Sequence, residues 1–167
     1  MARYSRFQKC NSLLVGDRLT DNHDPGDNYR FHDVFHLAHA AVLGWSPVTR
    51  ALFRVKRKSC PKIDENEDGA RAILIEEGVT TWVFEIAKNH QFFANTPELG
   101  FDLLKAVRGF VQGYEPHDLP MWLWERAILQ GYAVFRQLRQ HRRGMVIADM
   151  AQRELRFEYM PEHSKNS

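Results

Sequence analysis

Three histidines and an aspartate, His32, Asp33, His36 and His39, interrupt the otherwise apolar stretch YRFHDVFHLAHAAVLGWS at residues 29–46. Imidazole and carboxylate are the side chains that ligate cations and move protons near neutral pH, and burying them is costly unless they are paired or used. His32, His36 and His39 are spaced by four and then three residues, which puts them on one face of a helix, with Leu43 continuing the line. Asp33 lies one residue further round. Together they can reach a single metal ion or a phosphate.

A second polar pair lies in the most apolar part of the chain, ARAILIEEGVTTWVFEIA. Glu77 shares a helical face with Ile73, Leu74, Thr81 and Phe84, and Glu76 shares the next with Ala72, Val79 and Val83. Neither face is wholly solvated. Adjacent carboxylates repel and resist desolvation, so a divalent cation or an arginine such as Arg71 or Arg126 is needed to neutralise them. Upstream, Glu65 and Asp68 extend the acidic face, with Asp68 two turns before Glu76. Arg50, Arg54, Lys56, Arg57, Lys58 and Lys62 crowd the stretch between the two groups and suit phosphate oxygens.

The expected site has the histidine face looking across at Glu76 and Glu77. Asp33, His36, Asp68, Glu76 and Glu77 are the expected ligands of one or two divalent cations, and His32, Asp33 and Glu77 are the candidates for proton transfer. Arg54, Lys56, Arg57 and Lys58 would orient phosphates. Trp45 or Trp82 could stack on a base, although a tryptophan is more often core.

Helices must position these groups. Apolar residues recur at three and four from Asn28 to Leu43, with Gly44 as the stop, and Ser46-Pro47 caps a second helix through about Arg57. A third is expected from Asp64 to Lys88, a fourth from Thr96 to about Gly113 and a fifth from Leu119 to His141. Beyond Gly144, Leu155, Phe157 and Tyr159 alternate with Arg156 and Glu158, which reads as a β-hairpin over 144–160. The fold class is therefore all-α, a bundle of four or five helices with a small C-terminal hairpin. A loop region over 1–27 and a loose tail over 161–167 complete one domain.

With 167 residues, 44% of them hydrophobic and 26% charged, the chain can close one core without staples. A net charge of +2 is too mild to point to DNA or RNA. Cys10 and Cys60 form no metal-binding pair by spacing. No apolar run approaches the roughly 20 residues that cross a bilayer, and MARYSRFQKC lacks a signal-peptide core, so a cytoplasmic protein with no membrane contact is expected.

The segments YRFHDVFHLAHAAVLGWSPV, RVKRKS and IDENEDGARAILIEEG resemble a domain associated with the MazG-type nucleotide pyrophosphohydrolases, where it follows the MazG module. The resemblance runs from about Gly16 to Phe157. It implies an all-α fold, magnesium bound between a Glu-Glu-x-x-Glu helix and a Glu-x-x-Asp helix, hydrolysis of nucleoside triphosphates to monophosphate and pyrophosphate, and self-association. Glu65 to Asp68 offers the Glu-x-x-Asp spacing, whereas His32-Asp33-x-x-His36 stands where the other motif is expected. Imidazoles in place of carboxylates shift the preference from magnesium toward manganese or another transition metal. The leading expectation is a metal-dependent nucleotide pyrophosphohydrolase. The alternatives are an inactive nucleotide-binding or oligomerisation module on the same fold and, less strongly, a His-Asp phosphohydrolase-type centre, for which His90, His117 and His141 are poorly placed.

Overall fold

The computed structural model describes residues 28–55, 60–141 and 144–160. After a 3-10 turn at Tyr29–Phe31, helix α1 runs over Asp33–Ala38 and widens into a π-helical turn at His39–Leu43. Gly44, at φ 73°, ends it in the left-handed conformation that glycine adopts without penalty. Helix α2, Pro47–Leu52, starts where Ser46 accepts the Thr49 N–H and Pro47 fills the first helical position. It stops short of the expected Arg57: Arg54 turns left-handed at φ 54°, and residues 56–59 lie outside the described residues.

The single helix expected over 64–88 is two, α3 at Pro61–Asp68 and α4 at Ala70–Asn89. The break is Gly69, whose backbone is extended at ψ 167°. A Cβ at this position would meet the Glu65 carbonyl oxygen at 2.5 Å, so the close approach requires glycine. Helix α5, Phe101–Phe110, starts after Gly100 rather than at Thr96. Before it, Gln91, Phe92 and Phe93 form a left-handed turn, at φ 54°, 52° and 57°. Phe92 packs on Phe84 and Phe135 there, and its carbonyl accepts from Arg136.

Helix α6, Met121–Gln140, is the spine of the core. Val34, Phe35 and Ala38 of α1 and Val83 and Phe84 of α4 are buried with its Trp124, Ala127, Tyr132 and Phe135. The chain closes with the expected hairpin, β1 at Gly144–Asp149 antiparallel to β2 at Glu154–Tyr159, with Val146 opposite Phe157. Leu155 seats it in the core, and the Leu155 N–H donates to Gln130 of α6 at 2.9 Å. The architecture is the expected helical bundle with a terminal hairpin. No helix among the described residues is long and apolar enough to cross a membrane.

Candidate metal centre

Glu76, in the first half of α4, is completely buried where α1, α2 and α4 meet. Its Oε1 accepts from His36 Nδ1 at 3.1 Å, His39 Nδ1 at 3.0 Å and the Ser46 hydroxyl at 2.8 Å. Its Oε2 accepts the Val48 N–H at 2.9 Å. An ionised carboxylate is acceptor-only, so both facing imidazoles present an Nδ1–H. Val48 is the second residue of α2, so Glu76 also satisfies a donor that a helix start leaves open.

His36 links this sealed layer to an outer one. Its Nε2 is buried, makes no hydrogen bond, and stands 3.5 Å from Glu77 Oε2, an ion-pair distance too long for a good hydrogen bond. The Glu77 side chain is 38% exposed, so this layer reaches solvent. His32 lies beside it, its Nδ1 donating to the Tyr29 carbonyl at 2.8 Å and its ring stacked on Tyr29 at 4.3 Å. The remaining His32 nitrogen, Nε2, is 3.4 Å from Asp33 Oδ1. His32, His36 and Glu77 each offer one ligand atom, all within 4.8 Å of one another. His36, His39 and Glu76 satisfy the same test, but there the carboxylate oxygens are already taken and the group is sealed from solvent.

Burial by itself would depress the proton affinity of His36, but Glu76 and then Glu77 outweigh it and raise the pKa to about 10. Burial would likewise raise Glu76, yet His36 and His39 hold it down at about 2. His36 also keeps Glu77 below its ordinary value. Asp33 goes the other way, raised by burial against the opposing pull of His32 and His36. His36 therefore carries a proton at neutral pH.

The structure brings together His32, His36, Glu76 and Glu77, with Asp33 adjoining, and adds His39, Ser46 and the Val48 N–H. The histidine spacing had placed His39 on the correct face; Ser46 was legible only as a helix cap. Asp68 is not part of the cluster: its carboxylate meets Arg50 Nε at 2.6 Å, tying α3 to α2. Glu65 is exposed, and the buried carboxylates of α3 are instead Asp64, which accepts the Cys60 N–H at 3.1 Å, and Glu67, which accepts from Trp45 Nε1 at 2.7 Å. Trp45 is thereby core and has no free face for a base, while half-buried Trp82 packs on Phe110. The partners of Glu76 are imidazoles rather than Arg71 or Arg126. Arg54 is exposed after α2, and Lys56, Arg57 and Lys58 lie outside the described residues. His117 is engaged with the Arg108 carbonyl, and His90 and His141 stack on Phe93 and Phe157.

A protein-family model, the MazG C-terminal domain, matches residues 2–161. The chain belongs to this family. No curated protein and no solved structure matches it. The match spans every residue of the cluster, so the polar centre lies within the MazG C-terminal domain itself.

Proposed function

We propose that this MazG C-terminal domain hydrolyses a phosphoanhydride bond of a nucleoside triphosphate or related nucleotide, using a divalent cation held by His32, His36 and Glu77. The observation that carries the reading is the His36 ring, whose buried Nε2 lacks a hydrogen bond and faces a half-exposed carboxylate with a second imidazole alongside. Two imidazole nitrogens and a carboxylate oxygen are a fitting donor set for a divalent cation.

When bound, the cation supplies Lewis acidity toward phosphoryl oxygens and lowers the proton affinity of water. Glu76 holds His36 in place from behind, and the Tyr29 carbonyl does so for His32. Asp33, with its proton affinity raised by burial and its Oδ1 beside His32, takes the proton of the attacking water. Arg54, Lys56, Arg57 and Lys58 hold the phosphate charge. Family membership supports the substrate class, and self-association belongs to the same reading.

The test is incubation with canonical and modified nucleoside triphosphates in magnesium, manganese or zinc, with pyrophosphate as the readout. Release that disappears in Glu77→Gln supports the proposal; no release from any nucleotide with any cation removes it. A second reading, an inactive nucleotide-binding or oligomerisation module, is favoured by the saturation of Glu76, since a fully satisfied buried network can serve to fix how helices pack.

A further inference from the structure

We infer that the cation this centre is built for belongs to the zinc class, held by Nε2 of His32, Nε2 of His36 and one oxygen of Glu77, with Glu76 as the positioning residue for His36. The inference rests on the cation site proposed above and decides which cation occupies it.

Each ring is pinned through Nδ1, His32 by the Tyr29 carbonyl at 2.8 Å and His36 by the Glu76 carboxylate at 3.1 Å. A histidine ligand whose other nitrogen donates to a carbonyl or carboxylate is the usual outer-shell arrangement of a metal site, because it fixes the tautomer and aims the ring. Nε2 is then the nitrogen each ring can offer a ligand, facing Glu77 at 3.5 Å on His36 and Asp33 at 3.4 Å on His32. The spacing agrees: His32 and His36 are one turn apart at the start of α1, and Glu77 comes from a separate helix. Two histidines at i and i+4 with a carboxylate from elsewhere form the three-ligand set of hydrolytic zinc centres, which keep a fourth position open.

Magnesium fits this set poorly, since it prefers six oxygens in octahedral array and gives up its waters reluctantly. Glu76 cannot supply the missing oxygens, because both of its own are engaged by protein donors. Of the other expected carboxylates, Asp68 is committed to Arg50, and Asp33 stands against His32 with its Oδ1 3.4 Å from Nε2, which leaves the set short of six oxygens.

The experiment adds zinc, cobalt, manganese or magnesium to the metal-free full chain without nucleotide. Cobalt absorption reports coordination number, and imidazole nitrogen resonances report which ring atom is metallated. The expected result is one cation per chain, the intense visible bands of four-coordinate cobalt, and zinc binding at least about 100-fold tighter than magnesium. The Nε2 resonances of His32 and His36 shift on zinc binding while their Nδ1–H signals persist. Glu76→Gln weakens zinc about 10- to 100-fold. Should that variant not fold, retention of the His36 Nδ1–H in the wild-type zinc complex tests the positioning role alone.

Weak six-coordinate cobalt bands, metallation at Nδ1, or magnesium binding as tightly as zinc overturns the inference. Zinc binding with the expected signature but no nucleotide hydrolysis leaves it standing and removes the hydrolytic reading. Hydrolysis supported by magnesium without zinc preference does the reverse, and absence of any cation binding removes both.

Discussion

Glu76 holds two imidazoles, a hydroxyl and a helix-start N–H, so its removal strands all of them in a dry interior. Glu76→Ala is expected to cost about 3–5 kcal/mol, the range for breaking a buried charged pair by removing one member. Chemical denaturation of the metal-free protein measures it. Glu77→Ala, at the half-exposed rim, should change stability by less than about 1 kcal/mol. The pH dependence follows from the two opposed shifts. His36 rises from 6.5 to about 10, so its contribution is full below 6.5 and is lost as pH climbs through 10. Glu76 falls from 4.5 to about 2, so its contribution is full above 4.5 and is lost as pH drops through 2. Stability from this pair should therefore plateau between pH 4.5 and 6.5 and decline on both sides, and Glu76→Gln should flatten both limbs of a plot of Tm against pH. The histidine face and its opposition to Glu76 and Glu77 were legible from residue spacing, because helical periodicity alone sets which side chains align. The division of labour between the two glutamates was not, since it depends on which one meets Ser46 and the start of α2.

At the level of elements, the sequence showed the first helix and its Gly44 stop, the Ser46-Pro47 cap, the last helix and the hairpin through local signals that act within a few residues; the π-helical widening at His39–Leu43 was not among them. The break at Gly69 gave no such signal, because an isolated glycine in a helical pattern is tolerated and only the approach of the Glu65 carbonyl makes it a corner. The same corner turns α3 away from the line of α4, which is why Asp68, expected two turns ahead of Glu76, is instead paired with Arg50. Gly69→Ala is expected to destabilise the fold by about 1–3 kcal/mol, the usual cost of forcing an extra carbon into a filled space, with denaturation as the measurement. Because the corner lies outside the cluster, the cation affinity of the folded fraction should change little. The left-handed turn at 91–93 was likewise invisible in the sequence, as aromatic residues rarely adopt it and it is held by the packing of Phe92 and Phe93 together with the Arg136 hydrogen bond to the Phe92 carbonyl.

In the whole molecule, α1 and α4 present their polar groups to each other on one side while α6 fills the apolar space behind them, His39 resting edge-on against Trp124 at 5.6 Å. Composition and length conveyed that one core would form, but the contents of the polar layer depend on how three helices converge. If self-association accompanies the proposed activity, light scattering should give a multiple of the chain mass, and a monomer at working concentrations would count against that part of the proposal. The central claim, that the cluster is a cation site with Glu77 at its rim, is tested most directly by calorimetric titration of a divalent transition metal into the chelator-treated protein and its Glu77→Gln variant. One cation per wild-type chain and at least about tenfold weaker binding in the variant are expected, with the metal-free Tm of the two alike. Equal affinity in both proteins, or no binding to either, would contradict it.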